Sequence, residues 1–154
     1  SCNIIIFDVN TNNKVIKLKQ FIEKIKVKTK AFEILNLSNK IDNLVKESKI
    51  ENGLLNLSVL HTSCSLLIQE NADSTVLMDI RKFLDEVAPE KNYFHDTEGP
   101  DDMPAHLKTL LTQTNLTISV RNKLVVLGVW QGIFLLEHRQ NGKNREVFFH
   151  LMGE

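Results

Sequence analysis

The chain is 154 residues long, a single-domain length that can enclose a real core. Lys plus Arg and Asp plus Glu each total 19, and a formal net charge of zero argues against broad electrostatic binding of nucleic acid or anionic membrane. Hydrophobic residues at 42% and charged residues at 25% exclude the composition of a disordered chain, and no apolar run reaches the ~20 residues of a membrane span.

The opening, SCNIIIFDVN, lacks the charged n-region and small-residue cleavage site of a leader peptide. Cys2 and Cys64 are too few for a disulfide framework and form no C-x-x-C pair, so the chain reads as reduced and cytoplasmic. No repeat or linker divides residues 1–154, which points to one domain.

In chain order, Phe21–Lys28 and Ala31–Leu37 read as strands across a short Lys/Thr connection. From Ser38, an expected N-cap, Ile41, Leu44, Val45 and Ser48 keep helical spacing until Gly53 ends the segment. Strands Leu54–Leu60 and Ser65–Gln69 flank His61-Thr62-Ser63-Cys64. Asp73 is expected to cap a second helix whose apolar stripe is Val76, Leu77, Ile80, Phe83, Leu84 and Val87, closed by Pro89. A short third helix is expected to start near Pro104 and run through Ala105–Leu111. Strands Leu116–Val120, Leu124–Val129, Ile133–Arg139 and Arg145–Met152 complete the chain, with Asn141-Gly142 as the best hairpin signal. Strands outnumber helices and follow one another as neighbours, so the class is α+β with largely antiparallel sheet. Few helices leave one sheet face short of cover, which favours oligomerisation.

Three segments carry chemistry. Residues 95–106 hold two histidines and four carboxylates in a stretch too polar and too punctuated by Gly and Pro for core. Imidazole and carboxylate are the ligand set of zinc and other divalent metals and also serve acid–base chemistry. Asp102 and His106 stand at i, i+4 and can share one helix face. The plain alternative is a solvated loop whose Asp102 caps the helix. In the second segment, His61, Ser63 and Ser65 alternate against Thr62 and Cys64, and their partners are protein groups, a phosphate or a metal. In the third, alternation sets Gln131, Glu137 and Arg139 on one face and Trp130, Phe134, Leu136 and His138 on the other. Arg139 with Arg145 suits a phosphate or carboxylate, and a Glu–Arg pair on an exposed sheet face is the alternative.

Taken together, His61-Thr62-Ser63, Glu70-Asn71-Ala72-Asp73, the run from His95 through Glu98-Gly99-Pro100-Asp101-Asp102-Met103-Pro104-Ala105-His106, Trp130-Gln131-Gly132-Ile133 and Glu137-His138-Arg139 resemble the YjbQ-type family. Its members are also called secondary thiamine-phosphate synthases. The likeness runs from about Lys24 to the C-terminus and leaves residues 1–20 as an extension. It implies a two-sheet, mainly antiparallel β-sandwich with two or three helices, assembled as a homotrimer. It further implies a pocket near the subunit interface lined by histidines and carboxylates. The activity implied is joining an aminopyrimidine diphosphate to a thiazole phosphate.

On that resemblance, His61, His95 and His106 are expected to hold a divalent metal (zinc, manganese or magnesium), with no organic cofactor. Glu70, Glu98, Asp102 and Glu137 are expected to act as acid–base or orienting carboxylates, and Ser63, Gln131 and Arg139 to contact a small phosphorylated metabolite. The rival reading is a non-catalytic trimer that binds a metal or metabolite. Nucleic-acid binding ranks last: Lys24, Lys26, Lys28 and Lys30 alternate, but no aromatic joins them.

Overall fold

The computed structural model describes residues 7–11 and 14–154, so Cys2 and the first six residues of the segment read for a leader lie outside it. The described elements are β1 (Phe7–Thr11), β2 (Lys14–Lys28), β3 (Ile34–Asn36), α1 (Ser38–Ser48), β4 (Gly53–Val59), β5 (Cys64–Glu70) and α2 (Ser74–Val87), followed by α3 (Asp102–Leu111), β6 (Asn115–Arg121), β7 (Leu124–Val125), β8 (Gln131–Glu137) and β9 (Asn144–Gly153). One sheet has the order β1-β2-β9-β4-β6-β7 and the other β3-β8-β5. Every pairing among the named strands is antiparallel. The α+β class and the two-sheet architecture therefore hold.

Period-2 alternation explains the larger sheet. Leu55, Leu57 and Val59 of β4, Leu116, Ile118 and Val120 of β6, and Val147, Phe149 and Leu151 of β9 all point inward and are buried. They meet Ile133 and Leu135 of β8, Cys64 and Leu66 of β5, and Ile41 and Val45 of α1 in the main core. The smaller sheet is covered on both faces. Phe134 and Leu136 turn away from the main core onto Leu77, Ile80 and Leu84 of α2, which is why β8 reads as an unbroken apolar run.

Several boundaries differ from expectation. β2 is fifteen residues long, extending well before Phe21. β3 keeps only Ile34–Asn36, because the chain turns at Phe32 with φ 51°. The N-cap of α1 is Leu37, and the Ser38 hydroxyl instead accepts from the Ile133 N–H at 3.0 Å. The helix ends at Lys49 in the left-handed conformation, four residues before Gly53. Gly53 opens β4, where a Cβ would meet the Met152 carbonyl oxygen at 2.3 Å.

Asp73 does cap α2, accepting from the Thr75 N–H at 2.9 Å. Phe83 and Val87, however, leave the expected stripe and are exposed. Only Leu124–Val125 of the expected 124–129 strand pairs, across the tight turn Asn122-Lys123, and Trp130 sits exposed in a turn.

The Asn141-Gly142 connection is not a hairpin. β8 lies in the small sheet and β9 in the large one, so the chain crosses between layers here. Gly142 is needed for close approach: a Cβ would lie 1.9 Å from the Thr29 carbonyl oxygen. None of the described helices is long and apolar enough to cross a membrane.

Candidate metal centre

Helix α3 supplies two of the three central groups. Gly99, at φ 108°, turns the chain into Asp101, the N-cap, whose carboxylate makes no capping bond because it is engaged elsewhere. Asp102 opens the helix, where its charge suits the positive helix end, and His106 follows one turn later on the same face. Pro104 is the third helical residue, so the helix begins two residues before the proline expected to open it. His95 comes from the irregular segment between α2 and α3, which the Tyr93 hydroxyl ties down by donating to the Pro89 carbonyl at 2.8 Å.

Both imidazoles converge on one carboxylate oxygen. His95 Nε2 lies 2.7 Å and His106 Nε2 3.2 Å from Asp102 Oδ2. Their rings stand 5.4 Å apart between centroids. The other oxygen, Oδ1, accepts from Arg139 Nη1. Arg139 also donates through Nε to Asp101 Oδ2 at 2.9 Å and through Nη2 to the Glu98 carbonyl at 2.8 Å. Gln140 N–H adds a bond to Asp101 Oδ2 at 2.9 Å.

Burial alone would raise the Asp102 pKa, but the His95 hydrogen bond and the charges of Arg139 and His106 outweigh it, holding the carboxyl below the usual range. Asp101 is held down in the same way, against burial, by the Gln140 N–H and Arg139.

His106 Nδ1 donates to the Thr62 carbonyl at 2.9 Å, so in the neutral form of the ring the proton stays on Nδ1 and an Nε2 lone pair faces Asp102. A lone pair facing a carboxylate is stabilised by a cation between them, either a proton or a metal ion. Among the described residues, His95, Asp102 and His106 are the group with ligand atoms within 4.8 Å of one another. Ligand atoms about 2.0–2.1 Å from a tetrahedral ion lie about 3.3–3.4 Å apart. The 3.2 Å spacing meets this, and the 2.7 Å spacing must open by about 0.6 Å. Two His and one Asp leave a tetrahedral ion one open position, as in catalytic rather than structural sites.

The remaining predicted residues are placed as follows. His61 stands outside the triad: its Nε2 accepts from the Glu146 N–H at 2.8 Å, and burial together with Arg145 lowers its pKa. Glu137 is fully buried. It accepts from Arg145 Nε at 2.7 Å, Arg145 Nη2 at 2.5 Å and the Thr29 hydroxyl at 2.7 Å, and it orients Arg139 through that residue's N–H at 3.0 Å. Arg139 and Arg145 therefore serve separate carboxylates and do not form a shared anion site. Their Glu–Arg pair is buried, not on an exposed face.

Ser63 Oγ accepts from Arg145 at 3.1 Å. Glu70 accepts from the Ala72 N–H and Gln131 from the Gly128 N–H, both at strand ends, and neither residue is among the triad's hydrogen-bond partners. Glu98 reaches the cluster through its backbone carbonyl. Cys64 is buried, which pushes its thiol up to about 12 and makes it inert. Asp101 and the Thr62 carbonyl are the contributors that residue types did not single out. The signal for Asp101 was its place beside Asp102, and a backbone carbonyl has none.

Two stacked antiparallel sheets with a His–Asp–His cluster at the start of a helix define a small α+β protein with a candidate metal centre. The chain belongs to the UPF0047 protein YjbQ-like family, whose model matches residues 23–154. It is 44% identical over 138 residues to a UPF0047 protein of Synechocystis sp., covering 88% of this chain and 94% of the relative. It is 46% identical over 114 residues to YjbQ of Salmonella typhimurium, covering 73% and 83%. The crystal structure of an uncharacterized YjbQ/UPF0047 protein from Clostridium acetobutylicum matches with a TM-score of 0.76 at 30% identity, covering 82% of this chain and 97% of that one. A YbjQ-like protein of unknown function from Sulfolobus solfataricus shares the fold, with a TM-score of 0.83 at 24% identity over 89% and 99% of the two chains.

Proposed function

We propose that the chain is a metal-dependent enzyme acting on a small phosphorylated metabolite, with His95, Asp102 and His106 as ligands. The observation that carries this reading is the convergence of two imidazole Nε2 atoms on one Asp102 oxygen whose partner oxygen is taken by Arg139. A divalent ion there supplies Lewis acidity toward a phosphoryl oxygen or a bound water. The chain's own residues orient it: Thr62 fixes the His106 tautomer, and Arg139 with Asp101 fixes the carboxylate. The family resemblance names the first reaction to try. In it the thiazole nitrogen attacks the pyrimidine methylene carbon, the carbon–oxygen bond to diphosphate breaks, and diphosphate leaves with the electron pair.

We also infer assembly with copies of itself as a homotrimer. Exposed apolar side chains support it: Met78, Phe83 and Val87 on α2, Leu110 and Leu111 on α3, and Phe94 beside His95. Sedimentation equilibrium tests this, with three protomers expected and a monomer at micromolar concentration against it.

The metal is tested by elemental analysis per protomer, repeated on a His95→Ala, His106→Ala variant of the same oligomeric state. About one zinc, manganese or magnesium per protomer, lost in the variant, is the expected result. No metal after soaking the wild type overturns the reading. Metal without turnover of any phosphorylated substrate would favour the non-catalytic binding protein.

A further inference from the structure

Beside Asp101 lies a second polar site. A cavity of about 250 Å³ opens between the end of α2, the start of α3 and the end of β8. Phe32, Ala88 and Pro104 give it apolar walls, and Lys108 and His138 are among its polar ones. The volume is below that of pockets for drug-sized ligands and suits a phosphate or small carboxylate.

Lys108 is the unusual residue. Its side chain is only 6% exposed, yet its one hydrogen-bond partner is Asp85 at 2.5 Å, whose own side chain is 52% exposed. An ammonium has three donors, and this one spends a single bond on a carboxylate that can turn to water. His138 is 1% exposed. The Ser65 hydroxyl engages its Nε2 at 2.8 Å, while Nδ1 has no hydrogen-bond partner. Leaving a buried imidazole nitrogen unpaired costs about 1–3 kcal/mol. Arg81, Lys108 and Arg145 all press positive charge on this ring.

Three carboxylates also line the cavity, and each is either paired with a cation or screened by water. Asp101 is committed to Arg139 and Gln140, Asp85 is half in solvent, and Glu90 is exposed.

We propose that this cavity binds a small oxyanion, a free phosphate or the phosphoryl group of a metabolite, through the Lys108 ammonium with His138 in its wall. Asp85 releases Lys108 to the anion and turns outward. The site does not depend on a metal at His95, Asp102 and His106. Asp101 lines the cavity and Arg139 links it to Asp102, so an anion held here sits one ion pair away from the triad.

The test titrates inorganic phosphate, and separately glycerol phosphate, into the full chain and into the His95→Ala, His106→Ala variant. Imidazole ¹⁵N resonances and calorimetry are the readouts. The expected result is saturable binding in both proteins, with the His138 ring resonances moving. Lys108→Met should weaken binding by about tenfold or more, the loss of one charge-assisted hydrogen bond. Ala88→Leu, which fills the cavity and leaves Lys108 in place, should abolish it and decides the matter if the Lys108 variant does not fold. Tighter binding of the monoester assigns the site to a metabolite's phosphoryl group, and tighter binding of inorganic phosphate to the free anion. Absence of saturation, or affinity unchanged by Ala88→Leu, overturns the proposal. Binding lost in the double histidine variant also overturns it, because it would place the anion at the metal centre.

Discussion

Arg139 takes Oδ1 of Asp102 and leaves Oδ2 to the two imidazoles, so one carboxylate joins an ion pair to a histidine pair. Removing its charge while keeping its shape isolates that role. Asp102→Asn is expected to lower zinc affinity by at least about 100-fold, measured by competition with a chromogenic chelator. Unchanged affinity would move the metal elsewhere. Arg139→Lys keeps the charge but loses the fork that grips Asp101 and Asp102 together. It should cost about 10–100-fold in the same assay. The Asp102–His106 partnership was readable from the sequence, because i, i+4 spacing on a helix places side chains side by side. The arrival of His95 was not, since it crosses from an irregular segment whose path no local pattern dictates.

At the scale of elements, alternation revealed which strands exist but not which sheet each joins. β4, β6 and β9 alternate cleanly because one face of their sheet is buried, and β8 loses alternation because both its faces are covered. Asn141-Gly142 misled because the same dipeptide serves a close backbone approach as well as a tight turn. Gly142→Ala should therefore destabilise the fold by about 1–3 kcal/mol, as overpacking does, with a lower urea midpoint as the measurement. A stability equal to wild type would show that Thr29 yields. A Glu–Arg pair was legible only as an exposed alternative, and the burial of Glu137 with Arg145 was hidden, for the pair joins a strand of one sheet to a strand of the other. With side chains 0% and 5% exposed, they form a buried pair. Glu137→Gln leaves Arg145 without its counter-charge and is expected to cost about 3–5 kcal/mol in chemical unfolding. A loss under about 1 kcal/mol would mean water reaches the guanidinium.

For the whole molecule, a set of buried groups makes stability fall on the acid side. Burial first, then the charges of Arg81, Lys108 and Arg145, push His138 from 6.5 to about 3. Burial and Arg145 lower His61 as well. At Asp101, Asp102 and Glu137, burial works the other way but is outweighed by their hydrogen bonds and cationic partners, so these too are depressed. Every one of these groups binds fewer protons in the folded chain than in the unfolded one. Unfolding therefore takes up protons, and stability present above the unfolded-state pKa is lost as pH falls. For His138 the window opens at 6.5 and runs down to about 3, at about 1.4 kcal/mol for each pH unit. The carboxylates add their share from about pH 5 downward. Urea unfolding should thus show a loss of about 2–3 kcal/mol between pH 6.5 and 4.5, most of it before the carboxylates titrate. His138→Gln should flatten that segment markedly and leave the steeper fall below pH 4 in place. A wild-type curve level down to pH 4.5 would mean that the His138 ring takes up its proton inside the fold as readily as in the unfolded chain.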